Sequence, residues 1–265
     1  MRALIHDVEL DYELSGSGPE LVWLHGLSGS VDESRWLTDH LATRFRVLTY
    51  STRGHGRSSP VLERHRYRYD VIADDLDAML DHVGFSKPIV AGGSHGANTA
   101  LRHAVRHPGR VSGLVLVAPG SNALRRPDRL RWGLVRGQLA LARRHGADGI
   151  VRAITGQDPG DPAADQAAIA AARSHDLASL EAAMRHIADQ RVVPPEALRG
   201  VQVPTVVAAW RKDPVLHPFG VAQRIAQLIP DAELHELPRP GQVPQAEAAE
   251  LVAVLVDRVL ARLQR

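Results

Sequence analysis

The 265-residue chain contains no cysteine, which excludes disulfides, cysteine nucleophiles and thiolate metal sites. Lysine is nearly absent too: Lys87 and Lys212 are the only ones, and the rest of the basic charge is arginine. Aromatic residues make up 4% of the chain and the formal net charge is +2. With no zinc-finger spacing and no basic stripe interleaved with aromatics, nucleic acid is not an expected partner. No apolar run approaches the ~20 residues that a membrane-spanning helix needs, so no membrane partner is expected either. The opening stretch MRALIHDVELDYELSG alternates apolar and polar residues and breaks early with charges, unlike a signal peptide. A cytoplasmic protein is the expectation.

What is present suffices for a sizeable core: 44% of the residues are hydrophobic. The length suits one domain with an insertion. ALIHDVELDYEL has the period-two alternation of an N-terminal hairpin. ELVWLHG, FRVLTYS, KPIVAGG and VSGLVLVAPG read as buried strands. Helical patterns separate them: YDVIADDLDAMLDHVG puts Val71, Leu76, Met79, Leu80 and Val83 on one side and stops at Gly84. HGANTALRHAVRHPG is a helix ended by Pro108-Gly109. Continuous apolar strands separated by helices predict an α/β fold, with a mostly parallel central sheet and helices on both faces. From Ser121 to Glu196 no strong strand appears, and Ala- and Arg-rich helical stretches are broken by GQDPGDP and VVPP. Strand–helix alternation then resumes at VPTVVAAW. Residues 1–120 and 197–265 are thus expected to form one core, and 121–196 a helical cap insertion.

The stretch GGSHG, residues 92–96, fits G-x-S-x-G between a strand and a helix. That is the context of a nucleophile elbow, where a serine sits exposed on a strained turn beside the free N–H groups of a helix N-terminus. Four other segments accompany it: LVWLHGLSGS, YSTRGHGRSS, RHPGRVSGLVLVAP and WRKDPVLHP. In this order they resemble the α/β-hydrolase superfamily, in its branch with a helical cap, over nearly the whole chain. The resemblance implies roles. Ser94 matches the nucleophile. The backbone N–H groups of His95 and Leu27 match the oxyanion hole. Asp213 matches the acid that orients the base. The third triad slot, within RPGQVPQAE, holds Gln242 where the family has histidine.

This departure is chemical. A side-chain amide can hold a water or a substrate, but it cannot accept the proton of Ser94. Losing a triad base costs on the order of 10⁶ in kcat, leaving ~10³–10⁴ over water from the oxyanion hole and binding. A second departure, Ser51 in STRGHGRSS where the family commonly has aspartate, reads as a change in a turn. His95 is the first candidate for a substitute base or substrate contact, and His217 the second. His25 reads as a buttress of the His-Gly turn, His55 as a turn residue, and His235 as a structural residue in a strand. His103 and His107, at i and i+4 on one helix, have the spacing of a metal pair, but no carboxylate partner is evident, so no metal is expected. No cofactor is expected.

Three readings of function follow. The first is an enzyme acting on a small carbonyl compound (ester, thioester, lactone or polyketide-like) by atypical chemistry such as acyl transfer, cyclisation or a lyase step, with Gln242 positioning substrate. The second is a slow or rewired serine hydrolase using His95 or His217, or an ordinary triad disabled by substitution at position 242. The third is a non-catalytic ligand-binding protein on a hydrolase scaffold. The arginines that open the insertion, Arg125, Arg126, Arg129, Arg131 and Arg136, read first as a solvated helical face. Their sharper reading is a docking surface for an acidic carrier protein or a phosphate-bearing substrate. Trp132, Leu134 and Val135 read as core.

Overall fold

Eight strands form a single sheet in the order β1-β2-β4-β3-β5-β6-β7-β8. The structure, a computed structural model, describes residues 1–125, 129–156, 158–161, 166–187, 189–211, 215–238 and 244–265. The side chains of 129–132, 154, 155, 167 and 168 lie outside the description as well. β1 (Arg2–Ile5) and β2 (Val8–Ser15) form the expected hairpin, and β2 lies antiparallel to β4 (Arg46–Tyr50). From β4 onward every pairing is parallel, through β3 (Glu20–Leu24), β5 (Ile89–Gly93), β6 (Gly113–Val117), β7 (Thr205–Ala209) and β8 (Ala232–Glu236).

Parallel strands need crossover helices, and these cover both faces of the sheet. Alternate residues of each strand therefore face different cores. Val22, Leu24, Val90, Leu114 and Leu116 pack with α2 (Tyr69–Val83), α3 (His95–Arg106) and α7 (Phe219–Leu228). Leu21, Trp23, Ile89, Ala91 and Val115 pack with α1 (Val31–Ala42) and α8 (Gln245–Leu263). Burying both faces explains why these strands read as unbroken apolar runs. On α2 the buried stripe includes Ile72, Leu76, Met79 and Leu80, while Val71 and Val83 sit at its half-exposed margins. Gly84 ends α2 in the left-handed conformation, φ 72°, which suits a residue without a Cβ.

Between β6 and β7 the described chain is helical: α4 (Arg129–Thr155), kinked at Gly146, then α5 (Gln166–Arg173) and α6 (Leu177–Ile187). These helices share a small core of their own, with Val135, Leu139, Ile150, Ile169, Leu180 and Met184 among its members. Val135 joins that core as expected, whereas Leu134 is 41% exposed. Leu134 faces outward because α4 is covered on one side only, so adjacent positions have opposite fates.

Candidate active site

β5 runs directly into α3, and Ser94 occupies the turn between them with φ 53° and ψ −108°. A non-glycine residue there is strained by ~1–3 kcal/mol and persists only when its surroundings hold it. The surroundings are tight. The Ser94 N–H donates to Val117 O at 2.9 Å and Ser94 O accepts from the Asn98 N–H at 3.0 Å. A Cβ on Gly92 would lie 2.5 Å from the carbonyl carbon of Gly96, and one on Gly96 would lie 2.0 Å from Leu24 O. The two outer glycines of G-x-S-x-G are therefore required by strand and helix backbones that pass within contact of each other.

The imidazole at the Ser94 hydroxyl is that of His217. Its Nε2 lies 2.8 Å from Ser94 Oγ. His217 stands in the loop between β7 and α7, and its ring meets Trp210 edge-on, with centroids 5.5 Å apart. His95, the first candidate in the sequence, is turned elsewhere. Its ring is buried, and Nδ1 lies 3.0 Å from Tyr69 Oη. The Tyr69 hydroxyl also accepts from Asn98 Nδ2 at 3.3 Å, and Asn98 Nδ2 donates to Asn122 Oδ1 at 3.0 Å. Asn122 in turn donates to the carbonyls of Ile187 and Gln190, both at 3.1 Å. A buried polar network thus runs from beside the elbow to the end of α6. Asp213 and Gln242 lie outside the described residues, as does Arg126.

Ser94 opens onto a cavity of about 300 Å³, at the small end of the range for ligand pockets. Its floor is the turn Gly26–Ser28, Ser94, His95 and His217, and its roof is mainly apolar, with Val135, Leu139, Ile150, Leu180, Met184 and Ile187. No aspartate, glutamate, lysine or arginine lines it among the described residues. A second cleft, on helices α4 and α6, is lined by Arg136, Arg143 and Arg185, and Leu139 borders both spaces. Glu181 pairs with Arg143 and with Arg185.

The turn that carries Leu27 is held from behind by imidazoles. His25 Nδ1–H donates to Gly26 O at 2.6 Å, and its Nε2 accepts the Thr52 N–H at 3.0 Å. His55 Nε2–H donates to Leu27 O at 2.7 Å. His175, from the segment between α5 and α6, donates from Nε2 to Ser28 O at 2.9 Å and accepts the Gly56 N–H on Nδ1 at 3.1 Å. Burial pushes all three pKa values down, well below the ordinary value for His25 and to about 4 for His175, with His55 adding repulsion to both neighbours. Neutral rings suit His25 and His175, since a ring that accepts a backbone N–H must keep one nitrogen unprotonated, whereas His55 Nδ1 lies between Arg53 O at 2.9 Å and the Thr52 hydroxyl at 3.1 Å. Ser51 fills its turn in a related way: its Oγ accepts the Val31 N–H at the start of α1, at 3.0 Å.

Two expectations need correcting or extending. His103 and His107 do have carboxylate partners: His103 Nε2 lies 3.2 Å from Asp77 Oδ1, and His107 Nε2 lies 2.8 Å from Asp74 Oδ1. The partners come from α2, which packs beside α3, so helix pairing creates contacts that spacing on one helix cannot reveal. Arg106 and Arg110 share those carboxylates, and no group of three or more potential ligands with metal-site geometry occurs among the described residues. His175 was not legible as part of the site at all. It lies in a helical segment without motif, and its only local signal is the Asp176–Ser179 cap that follows, in which the Ser179 N–H donates to Asp176 Oδ1 at 2.8 Å.

Known proteins share this plan. A family model described as the alpha/beta hydrolase fold matches residues 19–153, just over half of the chain. The chain is 34% identical over 102 residues to an uncharacterized hydrolase, YraK, of Bacillus subtilis, a match that spans 38% of either protein. It is 30% identical over 249 residues to a pimeloyl-[acyl-carrier protein] methyl ester esterase of Nitrosomonas europaea, covering 88% of this chain and 92% of that one. Among solved structures, the enol-lactonase from Burkholderia xenovorans LB400 aligns over 100% of both chains at a TM-score of 0.76 and 20% identity. A model match centred on the elbow, together with an alignment running almost end to end through a 30%-identical relative, leads to one conclusion: the chain belongs to the α/β-hydrolase family.

Proposed function

We propose that the chain is a serine hydrolase of a neutral carboxylic ester or thioester, with His217 as the base. One observation carries this reading: the 2.8 Å contact between His217 Nε2 and Ser94 Oγ. Ser94 attacks the carbonyl carbon while its proton passes to His217 Nε2. The carbonyl oxygen becomes an oxyanion, met by the backbone N–H groups of Leu27 and His95, each worth ~2.7–4 kcal/mol at that position. Collapse expels the alcohol or thiol, which leaves with the proton from His217. Water then attacks the acyl-serine, giving its proton to His217, and a second collapse frees the carboxylic acid and returns a proton to Ser94. Asp213 is the proposed carboxylate that orients His217, and Gln242 a polar contact for substrate.

Non-hydrolytic chemistry is the reading Gln242 suggests when no other base is at hand. An imidazole at position 217 removes that need. The small, mainly apolar cavity, with no charged lining among the described residues, favours a substrate whose acyl part is short and uncharged. Delivery on an acidic carrier extends the reading, with the helices α4–α6 acting as a cap. Arg136, Arg143 and Arg185 present guanidiniums outside the cavity wall at Leu139, and one relative is named for a carrier-bound ester.

A fluorophosphonate probe tests the core of this proposal. Wild type should label at Ser94, Ser94→Ala should not label, and His217→Ala should label slower by ~10⁴-fold or more. Gln242→His should change the rate by less than about tenfold, because a base is already in place. A gain of a thousandfold or more in Gln242→His, with no loss in His217→Ala, would overturn the assignment of the base.

A further inference from the structure

Three consecutive carbonyls, those of Gly26, Leu27 and Ser28, are each held by a different histidine. The rings follow one another, with centroids 5.4 Å apart between His25 and His55 and 5.6 Å between His55 and His175. The Gly26 carbonyl shares its peptide plane with the Leu27 N–H, so His25 sets the direction of that N–H, while His55 and His175 hold the next two planes and so limit how far the turn can twist around it. His25 and His55 belong to neighbouring loops of the α/β core. His175 does not: it comes from the helical insertion, where it is buried and makes two hydrogen bonds, one to Ser28 and one to Gly56. Its segment is pinned to the core at a second point, where the Val61 N–H donates to Ser179 Oγ at 2.9 Å. Asp176 Oδ1 accepts from that same hydroxyl at 2.7 Å.

We propose that His175 is a positioning residue that couples the seating of the helical insertion to the geometry of the oxyanion turn. When the insertion is seated, the third carbonyl is held and Leu27 N–H is aimed at the reacting carbonyl. When it lifts, one brace of the turn goes with it, and the turn loses its catalytic shape. Substrate enclosure and oxyanion stabilisation are then one event rather than two. The catalytic half of this statement rests on the hydrolase reading above. The mechanical half does not.

The experiment compares wild type with His175→Leu, His175→Gln and Ser179→Ala, reading hydrogen exchange in residues 25–30 together with kcat and KM on p-nitrophenyl butyrate. Leucine fills the space without hydrogen bonds. Glutamine carries an acceptor and a donor at a spacing close to that of the two ring nitrogens. Ser179→Ala loosens the neighbouring anchor without touching the turn. The expected result for His175→Leu is exchange at 25–30 faster by about tenfold or more, and kcat lower by ~10–100-fold with KM within about threefold, as befits a misplaced oxyanion donor. Glutamine should recover most of both losses, and Ser179→Ala should shift both in the same direction by less. Unchanged exchange at 25–30 in His175→Leu overturns the proposal, and so does a rise spread evenly over the chain that glutamine does not correct. Should His175→Leu not fold, unchanged exchange in Ser179→Ala overturns it equally. If wild type fails to turn over any ester, the hydrolase reading falls, while the exchange data still decide whether His175 holds the turn.

Discussion

Histidines stand on two sides of Ser94, and they differ in nearly every physical respect. On one side His217 is half-buried in a loop before α7 and touches the hydroxyl. On the other, His25, His55 and His175 are buried and use both ring nitrogens in hydrogen bonds to backbone and hydroxyl groups. Burial pushes the pKa values of those three down, which favours the neutral ring. A neutral imidazole held by two fixed bonds is a rigid spacer with a donor at one end and an acceptor at the other. A proton carrier needs the opposite: a nitrogen facing a reacting atom and room to change charge. Under the proposed chemistry the same side chain serves two purposes, and what divides them is access to the cavity.

Breaking the front side should have the largest effect. His217→Ala should lower kcat/KM on a small activated ester by ~10⁴–10⁶-fold while leaving the melting temperature nearly unchanged, since it removes a half-buried loop residue. His95→Gln keeps the backbone N–H and should cost less than about tenfold in the same assay. Equal losses in the two variants would erase the distinction between base and wall.

Breaking the back should look different in kind. His55→Leu strands Leu27 O without a donor and should lower stability by about 1–3 kcal/mol in urea unfolding, with kcat down ~10–100-fold. Acid sharpens the same contrast without mutation. An unfolded imidazole titrates near 6.5, whereas His175, like His103, is held to about 4 in the fold. Between those values the unfolded chain binds protons that the folded chain refuses, so stability is full above about 6.5 and falls as pH drops towards about 4. Melting temperatures measured down through that window should decline, and His175→Gln should flatten the decline. Smallest of all, Arg136→Glu on the second cleft should weaken kcat/KM by about threefold to tenfold on a carrier-bound ester and leave a p-nitrophenyl ester unaffected. Equal loss on both would remove the carrier from the proposal.

The sequence made the fold legible because both-face burial leaves apolar strands with sharp ends, and because Gly92 and Gly96 sit where two backbones nearly touch. His25 was readable as a buttress for the same local reason. The distant members were not. His217 meets Ser94 across 123 positions, and its reach depends on the shape of a loop, which no periodicity encodes. His175 meets Ser28 across 147 positions, from a helical segment whose sequence marks only a cap. His95 is adjacent to Ser94 in the chain, yet the first turn of α3 carries its ring towards Tyr69. Adjacency to a nucleophile fixes where the backbone lies and leaves the direction of the side chain to the helix.

That no charged side chain lines the cavity among the described residues bears on how a turnover would end. Ester hydrolysis converts a neutral molecule into an acid that ionises in water near neutral pH. Away from the proposed oxyanion donors, the walls offer no arginine or lysine among the described residues, and there the anionic form loses hydration without a compensating partner. Such walls would suit a neutral ester better than the carboxylate that the proposed reaction creates, which favours release of the acid. Under the proposed chemistry the enzyme would be inhibited by its alcohol product far more than by its acid.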